Sequence, residues 1–314
     1  MELWNNTLEN SFFLIGILQS SKYPGLVCAT ITFLYLVAVT SNGLLLLLIA
    51  LDKQLHVPMY FLLSQLSLMD LLFTTVVSPK TVVDYLHGQS IISFSGCGFQ
   101  IFLILIIGGA EDILLAFMAY DRYVAIQHPL KYMVFMRPKV CWSMVATSWL
   151  LASMNALVHT IYTMHFPFCG TREISHLLCE IPPLLKLACA DTTKYQFMVY
   201  TMGVAFLIIP LSAIITSYIL VLTIVFHMSS AQGRQKALFT CSSHLTVVGL
   251  YYGAVVLMYV LPSAYHSPQQ DNIISVFYTI VTPALNPLIY SLRNKDVLGA
   301  LKKLLEKGPL GQEL

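Results

Sequence analysis

The chain has 314 residues, of which 57% are hydrophobic and only 10% charged, with a net charge of +2. A soluble globule of this length does not keep such a balance, so a lipid bilayer is the solvent the composition calls for. The small net charge, with basic residues bordering apolar runs instead of forming a patch, does not suggest a nucleic-acid partner.

The first segment, 1–24, reads as extracellular. It lacks a basic region, an apolar core and a small-residue cleavage site in order, so the first span is expected to serve as the targeting signal. Asn5-Asn6-Thr7 within it is a glycosylation acceptor, placing a glycan on Asn5. A membrane span needs about 20 mostly apolar residues. Windows free of Asp, Glu, Lys and Arg cover 23–51, 85–110, 140–171, 195–233, 237–270 and 272–292, and 54–79 is broken only by Asp70. The window from 85 runs on past Glu111 and Asp112 to Tyr120, and 195–233 also holds a loop. The expected fold is therefore an all-α membrane protein, a seven-transmembrane helix bundle occupying 25–292.

Lys53, Arg122, Lys131, Arg137, Lys139, Arg234, Lys236, Arg293, Lys295, Lys302, Lys303 and Lys307 cluster on one side of the spans. Lys22, Lys80, Arg172, Lys186 and Lys194 lie on the other. Basic residues are retained in the cytoplasm, which puts the amino terminus outside and the carboxyl terminus inside, in a multi-pass plasma-membrane protein. Prolines interrupt several spans. Pro58 opens the second, Pro79 sits near its outer end, Pro210 lies inside the fifth, and Pro283 and Pro287 break the seventh. In the cytoplasmic tail, 293–314, a short amphipathic helix from Ser291 to Leu305 is expected along the membrane, with Lys302 and Lys303 facing lipid phosphates. The end beyond Lys307, with Gly308, Pro309 and Gly311, reads as disordered.

Asp70, Glu111 and Asp112 fall at membrane depth, where each unpaired charge costs about 2.5–3.5 kcal/mol, so they face the bundle interior. Neighbours on a helix point about 100° apart, so Glu111 and Asp112 do not both meet Asp70. One carboxylate pair and one separate acid is the expectation. The Asp70–Glu111 pair relieves its repulsion by sharing a proton or by holding a sodium ion. Of seven cysteines, Cys97, Cys169, Cys179 and Cys189 fall on the external side. They allow three pairings, which arithmetic leaves open. Cys28, Cys141 and Cys241 lie in spans as small core residues. His159 reads as a hydrogen-bonding core residue; no metal site is suggested.

The run Met118-Ala119-Tyr120-Asp121-Arg122-Tyr123-Val124-Ala125-Ile126, then His128-Pro129-Leu130 and Tyr132, resembles the cytoplasmic end of the third helix in odorant receptors. Leu55-His56-Val57-Pro58-Met59-Tyr60-Phe61-Leu62, Ser217-Tyr218, Lys236-Ala237 and Thr240-Cys241-Ser242-Ser243-His244-Leu245 match the same family. Pro283-Ala284-Leu285-Asn286-Pro287-Leu288-Ile289-Tyr290-Ser291-Leu292-Arg293-Asn294 completes the set, in the family's order and spacing. Ile104 stands where an amine receptor has Asp, and Ile280 where an opsin has its retinal-binding Lys. Three positions depart from the pattern: Ser41 replaces a usual Gly, Gln127 a common Cys, and Asp112 a frequent Cys.

The resemblance implies a receptor that binds small neutral volatile odorants and activates a heterotrimeric G protein of the olfactory stimulatory type, raising cyclic AMP. It implies the disulfides Cys97–Cys179 and Cys169–Cys189. It also implies a polar network of Asn42, Asp70, Glu111 and Asn286, and a G-protein switch at Asp121, Arg122, Tyr123, Tyr218 and Tyr290. The implied ligand positions are Ile104, Leu105, Gly108, Gly109, Ile181, Met202, Phe206, Tyr252, Val255, Val256, Tyr259 and Thr279, with Tyr259 foremost. A receptor for metabolites outside the nose is the alternative within the family. A transporter would betray internal repeats, which are not seen, and an intramembrane enzyme would need a nucleophile or metal cluster beside Asp70 and Glu111. No enzymatic activity is expected.

Overall fold

The structure is a computed structural model that describes residues 11–261, 267–291 and 294–307. Asn5 and Arg293 lie outside the described residues, so the expected glycan site carries no structural account. Seven helices are long and apolar enough to cross a membrane. They are α1 Pro24–Leu51, α2 Pro58–His87, α3 Phe94–Gln127, α4 Pro138–Met164, α5 Thr193–Phe226, α6 Ala231–Tyr259 and α7 Pro268–Ser291. A shorter α8 follows at Lys295–Lys307.

Local chemistry sets the helix ends. Pro24, Pro58, Pro138 and Pro268 open their helices, where the proline φ is already helical and its missing N–H would have had no partner anyway. Ser93, Ser230 and Ser267 cap α3, α6 and α7 by accepting from the backbone N–H three residues on. Gly88, at φ +67°, ends α2 in the left-handed conformation that glycine adopts without a Cβ clash.

Helix α2 runs past Pro79 to His87, beyond the window the charges delimited. The Lys80 ammonium neutralises Asp84 one turn on, at 2.7 Å, and also donates to the Ile91 carbonyl at 3.1 Å. A charged pair that satisfies itself on the helix surface does not end the helix. In α7 the expected break at Pro283 takes the form of a widened turn at Phe277–Val281, where the Thr282 N–H reaches back to Phe277 O. Pro283 has no N–H to offer the preceding turn, and the wider turn accommodates its ring while the helix continues to Ser291.

Helix α3 packs against α2, α4, α5 and α6 and carries the centre of the core, with Ile107, Leu114, Leu115 and Ala119 fully buried. Leu26, Phe33, Leu150, Ile161, Ile209 and Ile219 lie on the outside of the bundle. Apolar side chains facing outward on helices of this length are the surface a bilayer covers.

One end of the bundle is roofed by a small lid. Strand β1, Ser11–Leu14, pairs antiparallel with β2, Ile91–Ser93, and parallel with β3, Glu173–Ile174. Phe12 and Leu14 are buried there with Ile92, Ile174, Ile181 and Leu184. The outer segment read only as an extracellular extension thus contributes a strand, which Ser11-Phe12-Phe13-Leu14 marks by its run of bulky residues. Both disulfides brace this lid. Cys97 at the start of α3 joins Cys179, and Cys169 joins Cys189, with Cα separations of 5.4 and 5.7 Å.

Candidate functional site

Three polar stations follow one another down the bundle axis from the lid. At the end opposite the lid, the Arg122 guanidinium is paired with its neighbour Asp121 and also meets the Met59 sulfur. Asp121 is held on its other oxygen by the Tyr132 hydroxyl at 2.7 Å, from the short helix Tyr132–Phe135 in the following loop. Burial, with the Asp121 carboxylate beside it, raises the Tyr132 hydroxyl above the ordinary tyrosine range, so it remains a neutral donor at physiological pH. Tyr218 of α5 is bonded to His244 Nδ1 of α6 at 2.8 Å and not to Arg122. Tyr123 is half-buried, and Tyr290 carries a buried hydroxyl with no hydrogen-bond partner among the described residues.

At mid-depth Asp70 accepts both its bonds from Asn286 Nδ2, at 3.0 and 3.2 Å. Glu111 lies within electrostatic range of Asp70. Asp112, the next residue on α3, lies within electrostatic range of both Glu111 and Tyr252 of α6, and its Oδ1 and the Tyr252 hydroxyl are buried without hydrogen-bond partners among the described residues. Glu111 thus stands within range of an acid on either side, Asp70 and Asp112. Asn42 Nδ2 donates to Pro283 O at 2.9 Å. That carbonyl would ordinarily accept from residue 287, but Pro287 has no N–H, so a side chain from α1 takes its place. The amide oxygens of Asn42 and Asn286 are buried without partners among the described residues.

Nearer the lid, the expected ligand positions separate into distinct environments. Ile104, Ile181, Tyr252 and Thr279 are buried. Leu105, Gly108, Gly109, Phe206, Val255 and Val256 are half-buried, while Met202 is 44% and Tyr259 41% exposed. The two glycines face different partners. A Cβ on Gly109 would stand 3.3 Å from Ala152 Cβ of α4, whereas one on Gly108 would meet only the Tyr251 hydroxyl, at 4.0 Å. That hydroxyl donates to Gly108 O at 2.8 Å and ties α6 to α3. The Thr279 hydroxyl donates to Ser275 O within its own helix, at 2.6 Å.

Residues not singled out in the sequence complete this region. Glu180, next to Cys179 in the lid and 4% exposed, accepts a hydrogen bond from Tyr278 of α7 and lies within range of Tyr259 of α6. His176 of the lid meets the Ser275 hydroxyl of α7 at 3.1 Å. The Cys179 N–H donates to Gln100 of α3 at 2.8 Å. No sequence signal marks Glu180; its role follows from the partners the fold brings to it. His159 of α4 meets the Tyr195 hydroxyl at 3.2 Å, a core contact between α4 and α5.

At the other end, Lys303 of α8 bonds Asp52 at 3.0 Å and Gln54 at 2.8 Å in the α1–α2 loop. This corrects the expectation that Lys303 faces lipid, since an acid and an amide in the neighbouring loop lie within its reach. Lys302 remains exposed. Tyr60 fastens the start of α8 through Asn294 at 3.0 Å and Asp296 at 3.1 Å.

The sequence profile of the olfactory receptor family matches residues 31–307, nearly the whole bundle and α8. The chain belongs to the olfactory receptor family. It is 66% identical to human olfactory receptor 2AG1 over 307 residues, covering 98% of this chain and 97% of the relative. Human olfactory receptor 2AG2 matches at the same identity and coverage. Human olfactory receptor 2T27 is 50% identical over 305 residues, covering 97% of this chain and 96% of the relative. This olfactory receptor is thus a multi-pass plasma-membrane protein that takes odorants as ligands and couples to a G protein, and it is not an enzyme.

Proposed function

We propose that this receptor binds small neutral volatile molecules among α3, α5, α6 and α7 beneath the lid, and signals through a stimulatory G protein of the olfactory type to raise cyclic AMP. The observation that carries the signalling half is the closed arrangement at Arg122. Its guanidinium is held by Asp121, and Asp121 in turn by Tyr132. A partner helix that offers acceptors to Arg122 competes with those bonds, and an outward movement of α6 frees Tyr218 from His244 to join the rearrangement. For the ligand half, an apolar wall at Ile104, Phe206, Val255 and Val256, with hydroxyls at Tyr252 and Tyr259, suits neutral odorants with one directional group.

The mid-depth acids couple the two ends in this reading. Two carboxylates, with Asn286 bonded to Asp70 and its own amide oxygen unpartnered, form an oxygen-rich setting that suits a sodium ion or a shared proton. Either would favour the inactive arrangement and be lost when α7 shifts. Lys302, exposed on α8, suits anionic lipid headgroups.

The test is cyclic AMP in cells co-expressing the olfactory stimulatory G protein, challenged with a mixed odorant panel. An agonist response that Arg122→Ala removes while the receptor stays at the surface is the expected result. A response that survives Arg122→Ala, or one carried by another class of G protein, overturns the proposal.

A further inference from the structure

Glu180 is a buried carboxylate in the lid that neither the sequence motifs nor the switch account for. Its backbone position is fixed twice. Cys179, the preceding residue, is covalently bound to Cys97 of α3 and donates its N–H to Gln100, one turn further along α3. Tyr278 from α7 donates to Glu180 Oε1, and Tyr259 from α6 lies within range. The carboxylate therefore stands where the lid, α3, α6 and α7 converge. Its second oxygen, Oε2, is buried and has no hydrogen-bond partner among the described residues.

A carboxylate accepts several hydrogen bonds, and one left half-satisfied in a buried setting favours any donor that reaches it. We infer that Glu180 is the polar anchor of the odorant site, and that its free oxygen selects ligands carrying an O–H or N–H donor on an apolar body. This rests on the transmembrane ligand site proposed above and names its ligand class. The tyrosines make the anchor self-capping. With no ligand, Tyr278 covers one carboxylate oxygen; a ligand donor fills the other, or displaces Tyr278. Alcohols and phenols, which are neutral, carry the required donor, a protonated amine serves as its charged probe, and an ether or ester of the same shape lacks it. A carboxylate left unsatisfied by the wrong ligand is the basis of discrimination, as in any site built to receive a hydrogen bond.

The experiment uses the full-length receptor in the cyclic AMP assay with matched probes: 1-octanol, methyl octyl ether and octylamine, with 2-phenylethanol, its methyl ether and 2-phenylethylamine as a second body. On the wild type, a donor-bearing member is expected to exceed its ether by about 10- to 100-fold in potency, the range for a hydrogen bond to a charged group. Glu180→Leu should erase that preference and leave ether potency unchanged. Glu180→Gln separates the two sources of donor: it keeps an acceptor, so an alcohol preference survives within a few-fold, while an amine preference collapses with the charge. Tyr278→Phe removes the competing donor and should raise the potency of donor ligands alone, which decides the matter if Glu180→Leu fails to reach the surface. Equal potency of donors and ethers on the wild type, or an equal shift of both in the variants, assigns Glu180 to bracing the lid and overturns the inference. Silence to every probe and to the odorant panel, with surface expression intact, overturns the proposed function and this inference with it.

Discussion

Asn42 offers a sharp test of how α7 tolerates its prolines. Its amide bridges from α1 to the Pro283 carbonyl at 2.9 Å, a carbonyl that lacks a helical partner because residue 287 is proline. Asn42→Ala leaves that buried oxygen bare, at a cost of about 1–3 kcal/mol. In a Pro287→Ala background the restored N–H satisfies the same oxygen from within the helix, so removing Asn42 should cost about 1 kcal/mol less. The two substitutions are therefore coupled, and a double-mutant cycle reads that coupling directly. The receptor supplies its own reporter, since Cys28, Cys141 and Cys241 are free and buried and react with a thiol-sensitive dye as the bundle opens. Apparent Tm values at one fixed scan rate compare the four proteins, at about 2–4 °C per kcal/mol for a fold of this size or somewhat smaller. Effects that add within about 0.5 kcal/mol would refute the assignment of Asn42 as a stand-in for the missing backbone donor.

The two adjacent glycines of α3 should part company. Gly109→Leu drives a side chain into Ala152, 3.3 Å from the first added carbon, and at about 1–3 kcal/mol of overpacking it should lower surface expression measured by flow cytometry. Gly108→Leu has room at its base and should reach the surface but lose agonist response; equal loss of surface signal in both would remove the distinction. Tyr132→Phe deletes the 2.7 Å bond that steadies Asp121, and a raised basal cyclic AMP level is expected. A basal level identical to wild type would place Tyr132 outside the restraint on Arg122. Lys303→Ala loses partly exposed bonds to the α1–α2 loop worth about 0.2–1 kcal/mol, so Tm should fall by only a few degrees, and Lys303→Glu should fall further by repelling Asp52. A larger drop for Lys303→Ala than for Lys303→Glu would contradict an ion-pair role.

Much of the bundle was legible because its signal is local. An uncharged window of membrane length is read from contiguous residues alone, and all seven spans follow from such windows. What escaped depends on which side chains pair, most of them far apart in the chain. Charges at Lys80 and Asp84 look like the end of a span until each is seen to satisfy the other along the helix. Lys303 reads as lipid-facing until Asp52 and Gln54 appear beside it. Strand β1 has no alternating pattern long enough to announce itself, and its neighbours come from two separate loops. Glu180 carries no motif; only the convergence of Tyr259 and Tyr278 upon it gives it a role.

The strand order of the lid also sets a timetable for biogenesis. Ser11–Leu14 is the middle strand of the sheet, yet it is translated first, and its flanking partners arrive only with Ile91–Ser93 and Glu173–Ile174. This strand gains its first partner only after two spans have been threaded through the membrane, and its second only after four, when the loop after α4 has emerged. A receptor halted before that loop leaves Phe12 and Leu14 without their contacts to Ile174, Ile181 and Leu184, a partly covered apolar strand by which quality control can recognise an unfinished chain.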